Sequence, residues 1–488
     1  MECQLFIEGQ YQRPTSDEWF DVLNPATGEL VGRTAMATAG DVDLAVSAAQ
    51  RCFASWAGTG ADERARIIHK AADLMALRID EMAEILTREQ GKPVPDSRKE
   101  ILFGIEVLRY YAEEGRRIGG SLRPSVSPDV KNVVSYYPVG IAGAIVPWNY
   151  PVDLYCWKIG PALAAGCPII VKPPHETPFA IDMVVQCFAD AGLPAGVLAN
   201  LPGLGIEAGV AMSDHPDISL ISATASVAAG QDIMRRASGS LKRLSLELGG
   251  HAPFIVLPDA DIEDAARAAM RRSYSNMGQI CITVNRILVH QSVHSQFVDA
   301  LQLMTKSIEL GNGLDPDVAY GPVLNQAVID RVQAHTDDAV AKGGRLLSGG
   351  KCEDRGGLRN GYFYRPTLID DAPLDSMPMN LESYGPLAAV HPCVDLQEIE
   401  RIANSLPYGL AAYLYTDDLE AGWALADRLE FGAVGVNVND TSELQAPFGG
   451  WKLSGVGREL GPEGLAAYLE PKHIRMRVRS MARPPLKS

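Results

Sequence analysis

The stretch Ile141-Ala142-Gly143-Ala144-Ile145-Val146-Pro147-Trp148-Asn149-Tyr150-Pro151 decides the fold. Its first six residues form an unbroken apolar run, the pattern of a strand buried on both faces. Pro147 and Pro151 bound a turn. Pro151 suits a first helical position, where proline gives up an N–H that has no partner anyway. A helix is therefore expected over 151–165 and a second strand over 168–172. The alternation continues outward, with a helix over 180–191, strands over 197–201 and 218–222, and a helix over 226–237. Strand–helix–strand alternation predicts an α/β fold with a doubly wound parallel sheet. A second unit of the same class follows Gly249-Gly250, with strands over 253–257, 286–290, 387–391, 410–415 and 433–437.

Upstream, 41–117 reads as helical, and Gly119-Gly120 closes that block. Residues 122–137 are polar and β-rich, an arm outside the core. From Glu470 the tail places Arg475, Arg477 and Arg479 in alternation with apolar residues. It reads as a solitary strand in need of a partner, with another subunit as the candidate.

With 488 residues the chain is too long for one ordinary core, and 47% hydrophobic with 21% charged residues is the composition of a soluble protein. A net charge of −16 disfavours nucleic acid and anionic membranes as partners. No apolar run is long enough to span a bilayer, and Met1 to Tyr11 lacks a basic signal-peptide start. The eight cysteines show no CxxC or zinc-finger spacing and the nine histidines no HExxH, so no metal site is expected and a reducing, cytoplasmic setting is.

Five stretches carry candidate chemistry. In Asn276-Met277-Gly278-Gln279-Ile280-Cys281, a thiol follows an amphipathic helix (Ile262, Ala265, Ala266, Ala269, Met270) at a glycine break. The side chain and its backbone N–H can then face the same spot, although a lone cysteine can equally be a small buried hydrophobe. Asn149 stands at the carboxyl end of a strand, where open α/β sheets place ligands; its amide is either an oxyanion donor or an ordinary turn cap. Glu247, in Ser245-Leu246-Glu247-Leu248-Gly249-Gly250, is a carboxylate at an apolar strand end, where burial raises its pKa and suits a general base. Lys172 ends a strand as a cation able to meet a ribose or phosphate, and Pro202-Gly203-Leu204-Gly205 is a glycine-rich turn without the full dinucleotide fingerprint.

Taken in order, PWNYP (147–151), VKPP (171–174), LELGG (246–250), NMGQIC (276–281), ESYGP (382–386) and PFGGWK (447–452) resemble the aldehyde dehydrogenase superfamily, from about Asn24 to Lys472. The overall flavour is closest to succinate-semialdehyde dehydrogenases. The resemblance implies two doubly wound parallel-sheet domains plus a small β arm. The cofactor-binding domain would span 1–121, 138–248 and 439–467, the catalytic domain 249–438, and the oligomerisation arm 122–137 and 468–488, giving a homodimer or homotetramer. It assigns Cys281 as nucleophile, Asn149 with the Cys281 N–H as oxyanion hole, and Glu247 as the base for the deacylating water. Lys172 and Glu382 would meet the cofactor riboses, Trp148 would lie beside the nucleotide and Ser226 at the pyrophosphate, with Gly205 and Tyr384 completing the cofactor set. Tyr150, Leu154, Trp157, Ile280, Ile282, Ser442 and Phe448 would line the substrate tunnel.

Three departures matter. His175 stands where NAD-preferring members carry a glutamate, which opens use of NADP as well as NAD. Ala225 replaces a glycine in the turn before Ser226. The two arginines that succinate-semialdehyde dehydrogenases use for the substrate carboxylate fall on Trp157 and Ser275, and their redox cysteine falls on Thr283, which disfavours a dicarboxylic semialdehyde. Tyr150 and Trp157 match an aromatic pair of aminoaldehyde enzymes, to which Asp153 and Glu443 would add negative charge. The alternatives are such an aminoaldehyde-specific member and a non-catalytic relative; a CoA-acylating member is disfavoured by Glu247.

Overall fold

The helix Pro151–Ala165 forms between Tyr150 and a left-handed Gly166 cap, and every one of its residues is buried. In the computed structural model, which describes residues 1–478, this helix lies against the long helix Val94–Arg116 and covers one face of an eight-stranded sheet. Gly104 and Gly160 permit that approach: a Cβ on either would lie 3.1 Å from Cys156 Sγ or Tyr111 Cδ2.

Across the first sheet the strands run Gly455–Val456, Arg243–Leu248, Ile218–Ala225, Ile141–Ile145, Ile169–Lys172, Leu198–Asn200, Leu5–Ile7 and Gln10–Gln12. The five central strands are parallel and the edges antiparallel. The chain leaves Ile141–Ile145 in one direction and returns on its other side at Ile218–Ala225, so the order reverses there. A crevice opens at the carboxyl ends at such a reversal, and Asn149 follows that strand end.

The second sheet runs Arg345–Ser348, Thr367–Asp370, Leu387–Cys393, Val284–His290, Ala252–Val256, Ala411–Tyr415 and Ala433–Val436, parallel except at the first edge. Its two outermost strands on the 345–370 side escaped the sequence reading, as did the N-terminal strands. Of those, Glu2–Cys3, Trp19–Leu23 and Leu30–Ala35 form a small sheet of their own. Strands this short carry too few alternating residues to declare themselves.

The tail corrects one expectation. Leu469–Arg477 pairs antiparallel with Val130–Pro138 of its own chain over nine residues, and Ser121–Arg123 adds a third strand. One partner of the tail strand is therefore the arm of its own chain; Arg479 lies outside the described residues, as does the rest of the tail. Among the described residues no helix is long and apolar enough to cross a membrane.

Candidate active site

The helix Ile262–Tyr274 ends in a turn in which Asn276, Met277 and Gly278 all have positive φ, at 47°, 54° and 70°. Consecutive left-handed residues are unfavourable and persist only where the surroundings enforce them. Several contacts do so here. A Cβ on Gly278 would lie 2.2 Å from the Gly385 carbonyl, so only glycine fits. Gln279 donates through Nε2 to the Asn276 carbonyl (2.9 Å) and accepts from the Leu324 N–H at Oε1 (2.9 Å). Asn276 donates to the carbonyls of Asn149 (3.1 Å) and Gln279 (3.3 Å) and accepts from Gln90 Nε2 (3.1 Å). The turn presents Cys281 partly exposed. Burial, Glu247 and Glu382 push its thiol up to about 12.

Asn149 crosses from the first unit to this turn. Its Nδ2 donates to the Gln279 carbonyl at 3.1 Å, while its Oδ1 is buried without a partner. Its backbone carbonyl also accepts from Lys92 Nζ at 2.7 Å. Lys92 is paired with Glu100 and lies 3.8 Å above the Tyr150 ring. Glu100 in turn accepts from the N–H groups of Val152 (2.9 Å) and Asp153 (3.4 Å), capping the helix that Asn149 precedes. The amide is thus fixed by a buried ion pair from outside its own loop.

Glu247 ends the strand Arg243–Leu248 with both carboxyl oxygens buried and unpartnered. Burial, then Glu459, raises its pKa well above the carboxylate range, against the pull of Lys158 and Arg458. The glycines after the strand, Gly249-Gly250, bring its end to Cys281, since a Cβ on Gly250 would lie 2.9 Å from the Cys281 carbonyl. Behind Glu247, buried Lys158 donates to Thr224 Oγ1 (2.7 Å) and pairs with Glu459, which also accepts from Ser222 (3.0 Å).

The nucleotide candidates gather at the first sheet's crevice. Lys172 is buried, with Nζ on the carbonyls of Pro173 (2.9 Å) and Gly203 (3.2 Å), and desolvation lowers it to about 8. Gly205 opens the following π turn. Ser226 caps the helix Val227–Ala237 by accepting from the Ala229 N–H (3.3 Å). Glu382 is half-buried and raised to about 7 by desolvation, accepting from the Gly250 N–H (3.4 Å). A Cβ on Gly249 would lie 2.6 Å from its Oε2. Trp148 and Tyr384 meet edge to face at 5.6 Å. A carboxyl and an ammonium held by backbone alone, beside a capped helix N-terminus, fit ribose hydroxyls and a pyrophosphate. His175 lies 3.2 Å from Glu176 and edge-on to Phe20, and burial lowers its pKa.

Leu154, Trp157, Ile280, Ile282 and Phe448 belong to one apolar cluster, against which Tyr150 and Cys281 pack. Trp157 stands 5.2 Å from Phe448, and Ser442 lies in the adjoining loop, its N–H on Asp440. Asp153 accepts from Trp157 Nε1 (2.7 Å), and burial raises its pKa well above the ordinary carboxylate value, which disfavours its charged form; Glu443 is exposed.

The sequence reading missed Lys92, Glu100, Lys158, Glu459 and Arg272. Each is a charged residue at a buried position; for Glu100, Lys158 and Arg272 the available signal was a charge at an apolar position of a helix, while Lys92 and Glu459 lie between elements and gave none. Arg272 continues the stripe of Ala265, Ala268 and Ala269.

A thiol on an enforced turn, an amide aimed at that turn and a buried carboxyl behind it define a class of acyl-transferring enzymes that act through a cysteine. Residues 11–474 match the model of the aldehyde dehydrogenase family, and the chain belongs to that family. Its reaction is the oxidation of an aldehyde to the carboxylic acid with NAD(P)+. Among relatives, succinate semialdehyde dehydrogenase of Acinetobacter baylyi is 39% identical over 470 residues, 96% of each chain. An NADP-dependent enzyme of E. coli superposes with a TM-score of 0.95 at 36% identity, covering 98% of both chains. Betaine aldehyde dehydrogenase of Staphylococcus aureus, solved with NAD+, gives 0.95 at 33% identity, covering 99% of this chain and 96% of that one.

Proposed function

We propose that Cys281, Asn149 and Glu247 carry the oxidation, and that the unit built on the eight-stranded sheet binds the cofactor through Trp148, Lys172, Ser226, Gly205, Glu382 and Tyr384. The observation that carries this reading is the Asn149 amide directed at the turn that presents Cys281, with the unpartnered Glu247 carboxyl alongside. The thiol is protonated at rest, so a base must take its proton as sulfur attacks the aldehyde carbon. Glu247, whose proton affinity burial raises, is our candidate for that transfer. Asn149 Nδ2 and the Cys281 N–H hold the oxygen of the resulting hemithioacetal. NAD(P)+, when bound, supplies the hydride acceptor. After giving that proton up to solvent, Glu247 takes another from the water that hydrolyses the Cys281 thioester, and Lys158 and Glu459 set the field in which it cycles.

His175 lacks the carboxylate that would repel a 2′-phosphate, while Glu176 stands 3.2 Å away and keeps part of that repulsion. Use of both NADP+ and NAD+ is the reading that fits, and the relatives include one of each kind. The tunnel set is Tyr150, Leu154, Trp157, Ile280, Ile282, Ser442 and Phe448. We further propose a cytoplasmic homo-oligomer, dimer or tetramer, joined through the arm and tail strands, whose Leu122, Tyr136, Ile474 and Met476 are exposed apolar residues. The test is absorbance at 340 nm with a panel of apolar, hydroxylated, amino and carboxylated aldehydes and both cofactors. Cys281→Ala abolishes the signal; turnover by that variant overturns the assignment.

A further inference from the structure

We infer that Gln90 is a positioning residue for the oxyanion hole: it touches no reacting atom and sets, through Asn276, the spacing between the Asn149 amide and the Cys281 N–H. The inference rests on the catalytic reading above and deepens it.

Gln90 is the last residue of the helix Ile79–Gln90 and is 0% exposed. A buried side-chain amide needs partners for its oxygen and its nitrogen. Here those partners close a ring. Gln90 Oε1 accepts from the Lys92 N–H (2.9 Å), and Gln90 Nε2 donates to Asn276 Oδ1 (3.1 Å). Asn276 Nδ2 donates to the Asn149 carbonyl (3.1 Å), and the same carbonyl accepts from Lys92 Nζ (2.7 Å). Four bonds thus join a helix end, the nucleophile turn and the oxyanion loop, three segments far apart in sequence.

The ring is anchored behind Gln90. Glu89 accepts from the N–H groups of Phe179 (2.7 Å) and Ala180 (2.9 Å), and the Val94 N–H donates to the Gly313 carbonyl (3.0 Å). Gly91 between them has φ 97°, and a Cβ there would lie 2.8 Å from both Pro25 and Pro322, so the backbone has no room to follow a displaced side chain. In front, Asn276 holds φ 47° in a turn that persists only under restraint. Its Nδ2 also donates to the Gln279 carbonyl (3.3 Å), the group on which Asn149 Nδ2 rests at 3.1 Å. Asn276 therefore reaches both halves of the hole, the backbone of Asn149 on one side and the residues that lead to the Cys281 N–H on the other. Among the described residues the hydrogen bond to Asn276 Oδ1 is the one from Gln90. Without it that oxygen turns toward water or against the two carbonyls its own nitrogen now serves, and either movement opens the ring.

The test is a double-mutant cycle on Gln90→Met and Asn276→Ala, read through two reactions of the same sulfur. The first is single-turnover reduction of NAD(P)+ at 340 nm, with enzyme in excess over the best aldehyde of the panel above; it develops charge on a carbonyl oxygen. The second is alkylation of Cys281 by iodoacetamide in cofactor-free enzyme, followed by mass spectrometry of the Cys281 peptide. There sulfur displaces iodide from carbon and no oxyanion forms. Each single variant is expected to slow the first reaction at least about tenfold, inside the roughly 100-fold that a displacement of about 1 Å can cost, with alkylation and the cofactor KM within about threefold of wild type. The double variant is expected to be no more than about threefold slower than Asn276→Ala, because Gln90 acts through Asn276. Gln90→Glu, close in volume, keeps the bond from the Lys92 N–H but sets an oxygen against Asn276 Oδ1; it is expected to show the same split between the two reactions, and it serves if Gln90→Met fails to fold. Single-turnover rates within about threefold of wild type, equal losses in both reactions, additive losses in the cycle, or failure of both Gln90 variants to fold overturns the role of Gln90 and leaves the catalytic reading standing. A wild type inactive toward every aldehyde with both cofactors overturns the catalytic reading and this inference with it.

Discussion

Asn149→Ala separates chemistry from architecture. The amide Nδ2 donates to the Gln279 carbonyl, two residues before the nucleophile. Losing one oxyanion donor typically removes about 2.7–4 kcal/mol of transition-state stabilisation, or about 100- to 1000-fold in kcat. The effect on folding is far smaller. The variant loses one hydrogen bond with a net contribution of about 1 kcal/mol, but it also deletes the orphaned Oδ1, whose burial is itself unfavourable. The Gln279 carbonyl keeps Asn276 Nδ2, and the backbone carbonyl of residue 149, which alanine retains, keeps both Lys92 and Asn276. Stability should therefore change by no more than about 1 kcal/mol, a shift of about 3 °C or less in Tm. The assay is steady-state reduction of the cofactor at 340 nm with both substrates saturating, beside a thermal melt of the same preparation. A fall in kcat under tenfold, or a Tm drop large enough to account for the lost activity, would refute the reasoning.

Glu247→Gln should release about one equivalent of reduced cofactor per active site in a burst and then turn over more than about 100-fold slower, because hydrolysis loses its base; a variant with no burst counts against the deacylation role. In the wild type, kcat/KM should fall as pH drops through the raised pKa of Glu247, placing the acidic limb well above the ordinary carboxylate value, and a limb near about 4.3 would contradict its burial. Lys92→Met leaves Glu100 buried and uncompensated, so a loss of about 3–5 kcal/mol in denaturant unfolding is expected, with partial recovery in Lys92→Met/Glu100→Gln. His175→Glu should lower the ratio of kcat/KM for NADP+ over NAD+ at least tenfold, by restoring a carboxylate opposite the 2′-phosphate; an unchanged ratio would show that residue 175 does not meet it.

The helix 151–165 and the strands around it were legible because each is a continuous apolar segment bounded by proline or glycine, which local chemistry alone dictates. The same holds for the turn at Gly278, where a broken helical period precedes Cys281. The partner of the tail strand was not legible, because pairing between residues 130 and 477 depends on where the chain brings its ends. The environment of Asp153 was not legible for a related reason: burial disfavours its charged form while the indole N–H of Trp157 favours it, and neither shows in the order of the residues.

What the sequence determined by itself was the long apolar elements of the two sheets and the candidate reacting groups, since both follow from residues adjacent in the chain. The tertiary structure decided which charges those groups feel. Lys92 against the carbonyl of Asn149, Glu459 near Glu247 and Arg272 beside Tyr413 join segments far apart in sequence. Electrostatic coupling depends on distance and burial, and neither is written in the order of the residues.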